Sequence, residues 1–262
     1  MTPRISPNQL HIWLVSINEF KSHHKPIRLL DLLSKSEIER YLRLALEQDR
    51  QRFLITRALA RTVLSDYIKP VTPASLQFTQ NAHGKPAIAP EQLPYPLTFN
   101  ISHSGDLIGL AIAHGQDIGL DIERLNPEIA THQLAQRVLS EREYLQLQAA
   151  APARFCERFF EFWTLKEAYL KARGMGLTIP LNSFSLQLAG QERTAVRWTP
   201  QQGGVPGEWS FRQFKPADNY AGALAIRSNP SHQNHELVIR DALPMISSQL
   251  CTPRVLGKRR YG

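Results

Sequence analysis

Three carboxylates and two lysines stand in two short stretches of this 262-residue chain, Gly119-Leu120-Asp121-Ile122-Glu123 and Trp163-Thr164-Leu165-Lys166-Glu167-Ala168-Tyr169-Leu170-Lys171. On a strand, residues two apart share a face, so Asp121 and Glu123 project together while Leu120 and Ile122 pack on the other side. On a helix, positions four apart share a face. Glu167 and Lys171 therefore project together, with Thr164 one turn back, and Phe162, Leu165, Tyr169 and Ala172 form the apolar side. Carboxylates of this kind suit Mg²⁺, which binds through one or two of them plus substrate phosphates. The pattern predicts a divalent-metal phosphate site whose countercharge a lysine completes. Each stretch alone also fits a solvated strand face or a surface ion pair worth a few tenths of a kcal/mol.

Their company tips the balance. Phe99-Asn100-Ile101-Ser102-His103-Ser104-Gly105 precedes an apolar run, Leu107 to Ala113, which leads into Gly119-x-Asp121-x-Glu123 and then Trp163-x-x-Lys166-Glu167-Ala168-x-x-Lys171. In order and spacing these motifs resemble those of the 4'-phosphopantetheinyl transferases, in particular the larger two-lobed class of the surfactin-synthetase-activating type. Gln48 to Arg61 and the turn Gly84-Lys85-Pro86 match as well, so the resemblance spans about residues 10 to 226. It implies transfer of the phosphopantetheine arm of coenzyme A to a serine of an apo acyl or peptidyl carrier protein, a small and usually acidic domain, with release of 3',5'-ADP.

The resemblance also implies roles. Asp121, Glu123 and Glu167 would hold Mg²⁺ against the coenzyme pyrophosphate. Glu167 would take the proton of the carrier serine, directly or through a water, and Lys171 would stabilise charge on the phosphoryl oxygens and the departing 3',5'-ADP. His103 would donate to a coenzyme phosphate beside Ser102, Lys85 would approach the coenzyme, and Arg52 would grip its 3'-phosphate, where a planar bidentate donor is suited. Arg50 is the rival of Arg52 in that helix. Lys166 falls off the metal-facing stripe and receives no chemistry.

The elements that position these groups repeat along the chain. Ser36-Glu37-Ile38-Glu39-Arg40-Tyr41-Leu42 is echoed by Ser140-Glu141-Arg142-Glu143-Tyr144-Leu145, an offset of 104 (140 against 36), both read as helix starts with a capping serine. Arg52-Phe53 is echoed by Arg158-Phe159, an offset of 106 (158 against 52), and Gly109-Leu110-Ala111-Ile112 by Gly222-Ala223-Leu224-Ala225-Ile226, an offset of 113 (222 against 109). Each half reads strand, helix, longer helix, strand, returning strand. The expected fold class is α+β, with two similar lobes in a pseudo-twofold arrangement. The boundary falls near His114 to Gln116, which gives an N-terminal lobe over residues 1–116, a C-terminal lobe with the metal site over 117–228, and an extension over 229–262 in which Glu236 to Ile239 could add a strand. The chemistry then lies at the lobe junction, where clefts favour ligands. Pro86 to Pro96 and Pro200 to Gly207 read as loops between strands.

Composition is compatible with this and less specific. Hydrophobic residues make up 42%, ordinary for a globular chain with a core. The segment Leu10 to Ile17 is too short and polar for a signal peptide or a membrane span, so a cytoplasmic location is the expectation. Cys156 and Cys251 have no metal or disulfide spacing, and Cys156 reads as a small buried hydrophobe. The net charge of +8 favours capture of anions, here coenzyme A and an acidic carrier. Part of it lies in Lys258-Arg259-Arg260, which reads as a terminal stretch. A metal-dependent nuclease would also use such carboxylates and charge, but the aromatics sit at core-like helical spacing and are not interleaved with a basic stripe. A noncatalytic coenzyme A or carrier-binding module would not need all three carboxylates. Neither nucleic acid nor membrane is an expected partner, and two fused lobes imply a monomer.

Overall fold

The computed structural model describes residues 4–23, 26–189, 193–197, 209–227 and 235–243. Pro200 to Gly207, Cys251 and Lys258-Arg259-Arg260 lie outside the described residues. The first half runs β1 (Gln9–Ser16), α1 (Ile17–His23), α2 (Lys35–Arg43), α3 (Glu47–Tyr67), a short hairpin β2 (Phe78–Gln80) and β3 (Pro86–Ile88), then β4 (Thr98–Ser104) and β5 (Leu107–Ala113). The second half runs β6 (Ile118–Arg124), α4 (His132–Val138), α5 (Glu141–Gln148), α6 (Phe155–Arg173), a second hairpin β7 (Ser185–Ala189) and β8 (Arg193–Arg197), then β9 (Trp209–Phe214), β10 (Tyr220–Arg227) and β11 (Glu236–Asp241).

The sheets have orders β11-β1-β5-β4 and β6-β10-β9, so the triplet β1-β5-β4 has the same connectivity as β6-β10-β9. Helix pairs α2–α3 and α5–α6 and the two hairpins occupy corresponding places in chain order. The α+β class and the repeated lobe are therefore visible in the topology. Residues Glu236 to Asp241 of the extension pair parallel to β1, with Gln9 opposite Glu236 and Leu14 opposite Asp241. The end of the described chain thus returns to the first sheet.

Packing follows from the strand alternation. On one face of the first sheet Trp13, Val15, Phe99, Ile108, Leu110 and Ile112 share a core with Leu59, Val63 and Leu64 of α3. On its other face Leu10, Ile12, Leu14 and Ala111 meet Leu120 and Ile122 of β6 and Leu224 and Ile226 of β10. The far side of the second sheet, with Ala223, Ala225 and Phe211, receives Leu165, Ala168, Tyr169 and Ala172 of α6. Strand β5 is buried along its whole length. A strand covered on both faces needs a continuous apolar run, which is what Leu107 to Ala113 supplies.

Two local expectations change. The serine capping α2 is Ser34, not Ser36: its side chain accepts from Glu37 N while Glu37 reaches back to Ser34 N. Ser140 and Glu143 form the same capping box on α5. The helix starts thus correspond at an offset of 106 (140 against 34), the offset of Arg52 and Arg158. Pro86 to Pro96 is not loop throughout, since Pro86–Ile88 is a strand and Pro90–Gln92 a 3-10 turn.

Candidate active site

Strand β6 turns Leu120 and Ile122 into the inter-sheet core and Gly119, Asp121 and Glu123 toward α6. Gly119 sets the approach of that helix. A Cβ there would stand 2.0 Å from Ala168 O and 2.4 Å from Ala172 N, so only glycine lets α6 lie directly on the strand. One turn apart on α6, Glu167 and Lys171 then face the carboxylates of β6. Lys171 Nζ lies 2.6 Å from Asp121 Oδ1 and 2.9 Å from Ser102 Oγ.

The opposite wall is β4, and it meets β6 through side chains. Both are edge strands of their sheets. The N–H groups of Leu120, Ile122 and Arg124 donate to Asn100 Oδ1 (2.9 Å), Ser102 Oγ (3.1 Å) and Ser104 Oγ (3.1 Å). Side chains of one edge thereby satisfy the backbone donors of the other. The two serines also donate, Ser102 to Asp121 Oδ1 at 3.1 Å and Ser104 to Glu123 Oε2 at 2.5 Å.

The electrostatics are those of crowded acids with one adjacent cation. Burial pushes the Glu167 carboxyl above its ordinary range, with Asp121 and Glu123 adding repulsion that Lys171 only partly offsets. Burial likewise raises Glu123, and Asp121 adds to it, against hydrogen bonds from Ser104 and Trp163. Asp121 Oδ2 is buried without a hydrogen-bond partner, while Lys171 and Ser102 both take Oδ1. Among the described residues no group of three or more His, Cys, Asp or Glu side chains is arranged to hold a metal ion. The orphaned oxygen of Asp121 with one neighbouring acid fits a hard cation that takes one or two carboxylates and draws its remaining ligands from water and substrate phosphate, as Mg²⁺ does.

Two cavities flank this point. One of about 240 Å³ is lined by Lys85, Asn100, Ile101, Glu167, Lys171 and Gly174, among others. The other, about 190 Å³, is lined by Arg52, Thr56 and His103 with Leu44, Asp49 and Phe53. Arg52 lines it, paired with Asp49 at 3.0 Å, and Arg50 does not; Arg50 stands 3.3 Å from Glu47. The His103 imidazole is held below the ordinary histidine range by desolvation, then by Arg52.

Some residues sit differently from the expectation. Ser102 is buried, and its hydroxyl serves Asp121, Ile122 N and Lys171, so it orients the carboxylate and lysine and is not placed as a free donor to a coenzyme phosphate. Lys85 Nζ donates to Ala172 O at 2.7 Å, and Asn81 Nδ2 to Gly174 O at 2.7 Å, so the β2–β3 turn clasps the end of α6 across the lobe junction. Thr164 turns inward, fully buried, and donates to Phe160 O at 2.9 Å. Cys156 is only partly buried. Sequence reasoning missed Asn100 and Ser104 as ladder residues, Trp163 at Glu123, and Asn81. The alternation Asn100-x-Ser102-x-Ser104 was the available signal, since three polar residues two apart must share one strand face.

Comparison with known proteins agrees in both halves. Residues 20–115 match a family model described as 4'-phosphopantetheinyl transferase, N-terminal, and residues 117–225 match that of the 4'-phosphopantetheinyl transferase superfamily. The 4'-phosphopantetheinyl transferase HetI of Nostoc sp. is 31% identical over 219 residues, covering 84% of this chain and 88% of that protein. A 4'-phosphopantetheinyl transferase of Bacillus subtilis is 37% identical over 169 residues, 64% of this chain and 72% of the relative. The transferase Sfp of Bacillus subtilis strain 168 is 34% identical over 161 residues, 62% and 69% of the two chains.

Proposed function

This chain belongs to the larger two-lobed class of the 4'-phosphopantetheinyl transferase superfamily, and from that premise we propose that it transfers the 4'-phosphopantetheine group of coenzyme A to a serine of an apo acyl or peptidyl carrier protein, with Mg²⁺, releasing 3',5'-ADP. The observation that carries the reading is the convergence on one lysine and one orphaned oxygen: Lys171 at Asp121 Oδ1, with Oδ2 buried and unpaired beside Glu123 and Glu167.

Asp121 Oδ2, Glu123 and Glu167 would hold the cation. A cation held by these residues would supply countercharge for the pyrophosphate and so would ease expulsion of 3',5'-ADP. Glu167, whose carboxyl is raised above its ordinary range, is suited to accept the proton of the carrier serine as it attacks phosphorus. Lys171 is 31% exposed and can turn its ammonium from Asp121 toward developing charge on the phosphoryl oxygens. Arg52 and His103 share the cavity suited to the 3'-phosphate, and Lys85 stands between the α6 terminus and the cavity that holds Glu167. No covalent enzyme intermediate is needed.

Both walls come from one chain, β4 and the β2–β3 turn on one side, β6 and α6 on the other. This supports lobes at residues 1–116 and 117–228 and a monomeric enzyme. No helix among the described residues is long and apolar enough to cross a membrane, and a cytoplasmic enzyme with an acidic carrier as partner suits the basic chain. The test is transfer from coenzyme A to an apo acyl carrier protein, read by intact mass with Mg²⁺ and with chelator. A metal-dependent gain of one phosphopantetheine, lost in Glu167→Ala, is the expected result. No gain on acyl or peptidyl carriers would reject the reading.

A further inference from the structure

The rungs between β4 and β6 repeat one geometric relation. Ser102 accepts from Ile122 N and donates to the carboxylate of Asp121; two residues on, Ser104 accepts from Arg124 N and donates to the carboxylate of Glu123. Asn100 begins the series by accepting from Leu120 N, and the residue it would meet in place of a carboxylate is Gly119, where α6 lies against the strand. A polar side chain at position i thus takes the backbone N–H at i+20, and where the residue at i+19 is acidic it also holds that acid.

We propose that Ser104 is a positioning residue for Glu123, orienting this carboxylate toward the metal through its hydroxyl while the backbone of β6 fixes the hydroxyl itself. The inference rests on the reading of Asp121, Glu123 and Glu167 as metal ligands. A carboxylate between a crowded neighbour and solvent has several rotamers open to it, and its affinity for a cation falls with the fraction of time it spends turned away. The hydrogen bond at 2.5 Å engages Glu123 Oε2, with Trp163 a second partner of that carboxylate, much as Ser102 and Lys171 engage Asp121 Oδ1 and leave its Oδ2 buried and unpaired. Outer-shell partners of this kind commonly govern metal affinity by tenfold or more.

Ser104 is also the rung whose loss threatens the fold least. Asn100 and Ser102 are buried, whereas Ser104 is half-buried and its donor, Arg124 N, lies at an exposed position where water can replace the bond. Ser104→Ala removes the hydroxyl, and Ser104→Thr keeps it on a residue that strands favour. Mn²⁺ serves as the probe, titrated by electron paramagnetic resonance into the full chain with saturating coenzyme A, with thermal melting of each variant as the control for folding. The expected result is affinity about tenfold weaker in Ser104→Ala and within about threefold of the parent in Ser104→Thr, with melting temperatures of all three alike. Parental affinity in Ser104→Ala overturns the proposal. So does a Ser104→Thr variant as weak as the alanine variant, because side-chain fit and not the hydroxyl would then control binding. A parent chain that binds no Mn²⁺ overturns the metal reading itself, a result distinguishable from either.

Discussion

Lys166 Nζ lies 2.7 Å from Glu143 Oε2, and solvent reaches neither side chain. The other two ammonium donors go to Leu181 O at 2.6 Å and Phe184 O at 2.7 Å, so all three are used. The acid in turn caps α5 through Ser140 N and accepts from Leu186 N of β7. The first lobe carries the same device: Arg61 Nε lies 2.5 Å from Glu37 Oε2, and its Nη1 donates to Pro73 O and Leu76 O. In each lobe the capping acid of the shorter helix is thus held by a buried cation of the longer one, which sets the pair against the loop that follows.

Lys166 and Lys171 share one motif and should fail in opposite ways. Removing one partner of a buried pair leaves an uncompensated charge and costs about 3–5 kcal/mol. Lys166→Met should therefore lower the urea midpoint sharply and drop Tm by roughly 10 °C. Lys171 is 31% exposed and leaves behind an Asp121 that is buried but keeps the Ser102 hydrogen bond, so Lys171→Met should cost less stability than Lys166→Met while lowering kcat at least tenfold. Urea unfolding and steady-state transfer on both variants separate the two roles. Equal stability of the two would contradict the assignment.

Gly119→Ala should act through α6. The added methyl would meet backbone atoms of Ala168 and Ala172, which cannot turn aside as a side chain could. Overpacking of this kind costs about 1–3 kcal/mol or more. The helix must move off β6, carrying Glu167 and Lys171 away from Asp121, so transfer should fall by two orders of magnitude or more in protein that still folds, a displacement of ~1 Å being enough for that. Circular dichroism melts beside activity at saturating Mg²⁺ give the answer; near-parental turnover would mean that the contact with β6 does not set the site.

The carboxylates were legible because their positions obey the two simplest periodicities, two on β6 and four on α6, and the apolar partners Leu120, Ile122, Leu165 and Tyr169 fix which way each element faces. The repeat was legible because helix starts carry capping chemistry, although the register slipped by two where Ser34 and Ser36 compete. What stayed hidden depends on which elements lie side by side. Nothing local in Ser102 distinguishes a phosphate donor from a rung to β6, and nothing in Lys85 reveals that its ammonium ends on Ala172 O. Thr164 was misread because a threonine hydroxyl can bond back to the carbonyl four residues earlier and need not face a polar site.

Arg52 and Arg50 separate on the same reasoning. Each pairs with an acid of its own helix, Arg52 with Asp49 and Arg50 with Glu47, but only Arg52 lines the cavity beside His103, whose imidazole it helps hold down. Arg52→Ala should raise KM for coenzyme A about tenfold or more with little change in kcat, and should leave KM for dephospho-coenzyme A unaltered, because only the 3'-phosphate contact is lost. Arg50→Ala should leave both substrates unaffected. A loss shared equally by coenzyme A and its dephospho form would place the phosphate elsewhere.

Glu167→Gln should stabilise the protein that it inactivates. The Glu167 carboxyl is raised in the folded state, first by burial and then by Asp121, so the native protein holds this proton more tightly than the unfolded chain. A raised acid adds nothing unfavourable below its unfolded pKa. Stability falls as pH climbs from the ordinary carboxylate range through the raised folded value, and the loss is complete above it. Gln carries no such charge. Without metal or coenzyme at pH 7.5, the variant should therefore melt above the parent, and the gap should close as pH is lowered to about 4. Adding Mg²⁺ with coenzyme A should reverse the order, because a ligand that binds only the folded parent raises its stability by mass action and the variant gains less. Scanning calorimetry over that pH range, with and without both ligands, checks the sign. A variant less stable than the parent at neutral pH in the absence of ligands would mean that Glu167 is held by a favourable partner and is not kept under strain for a cation.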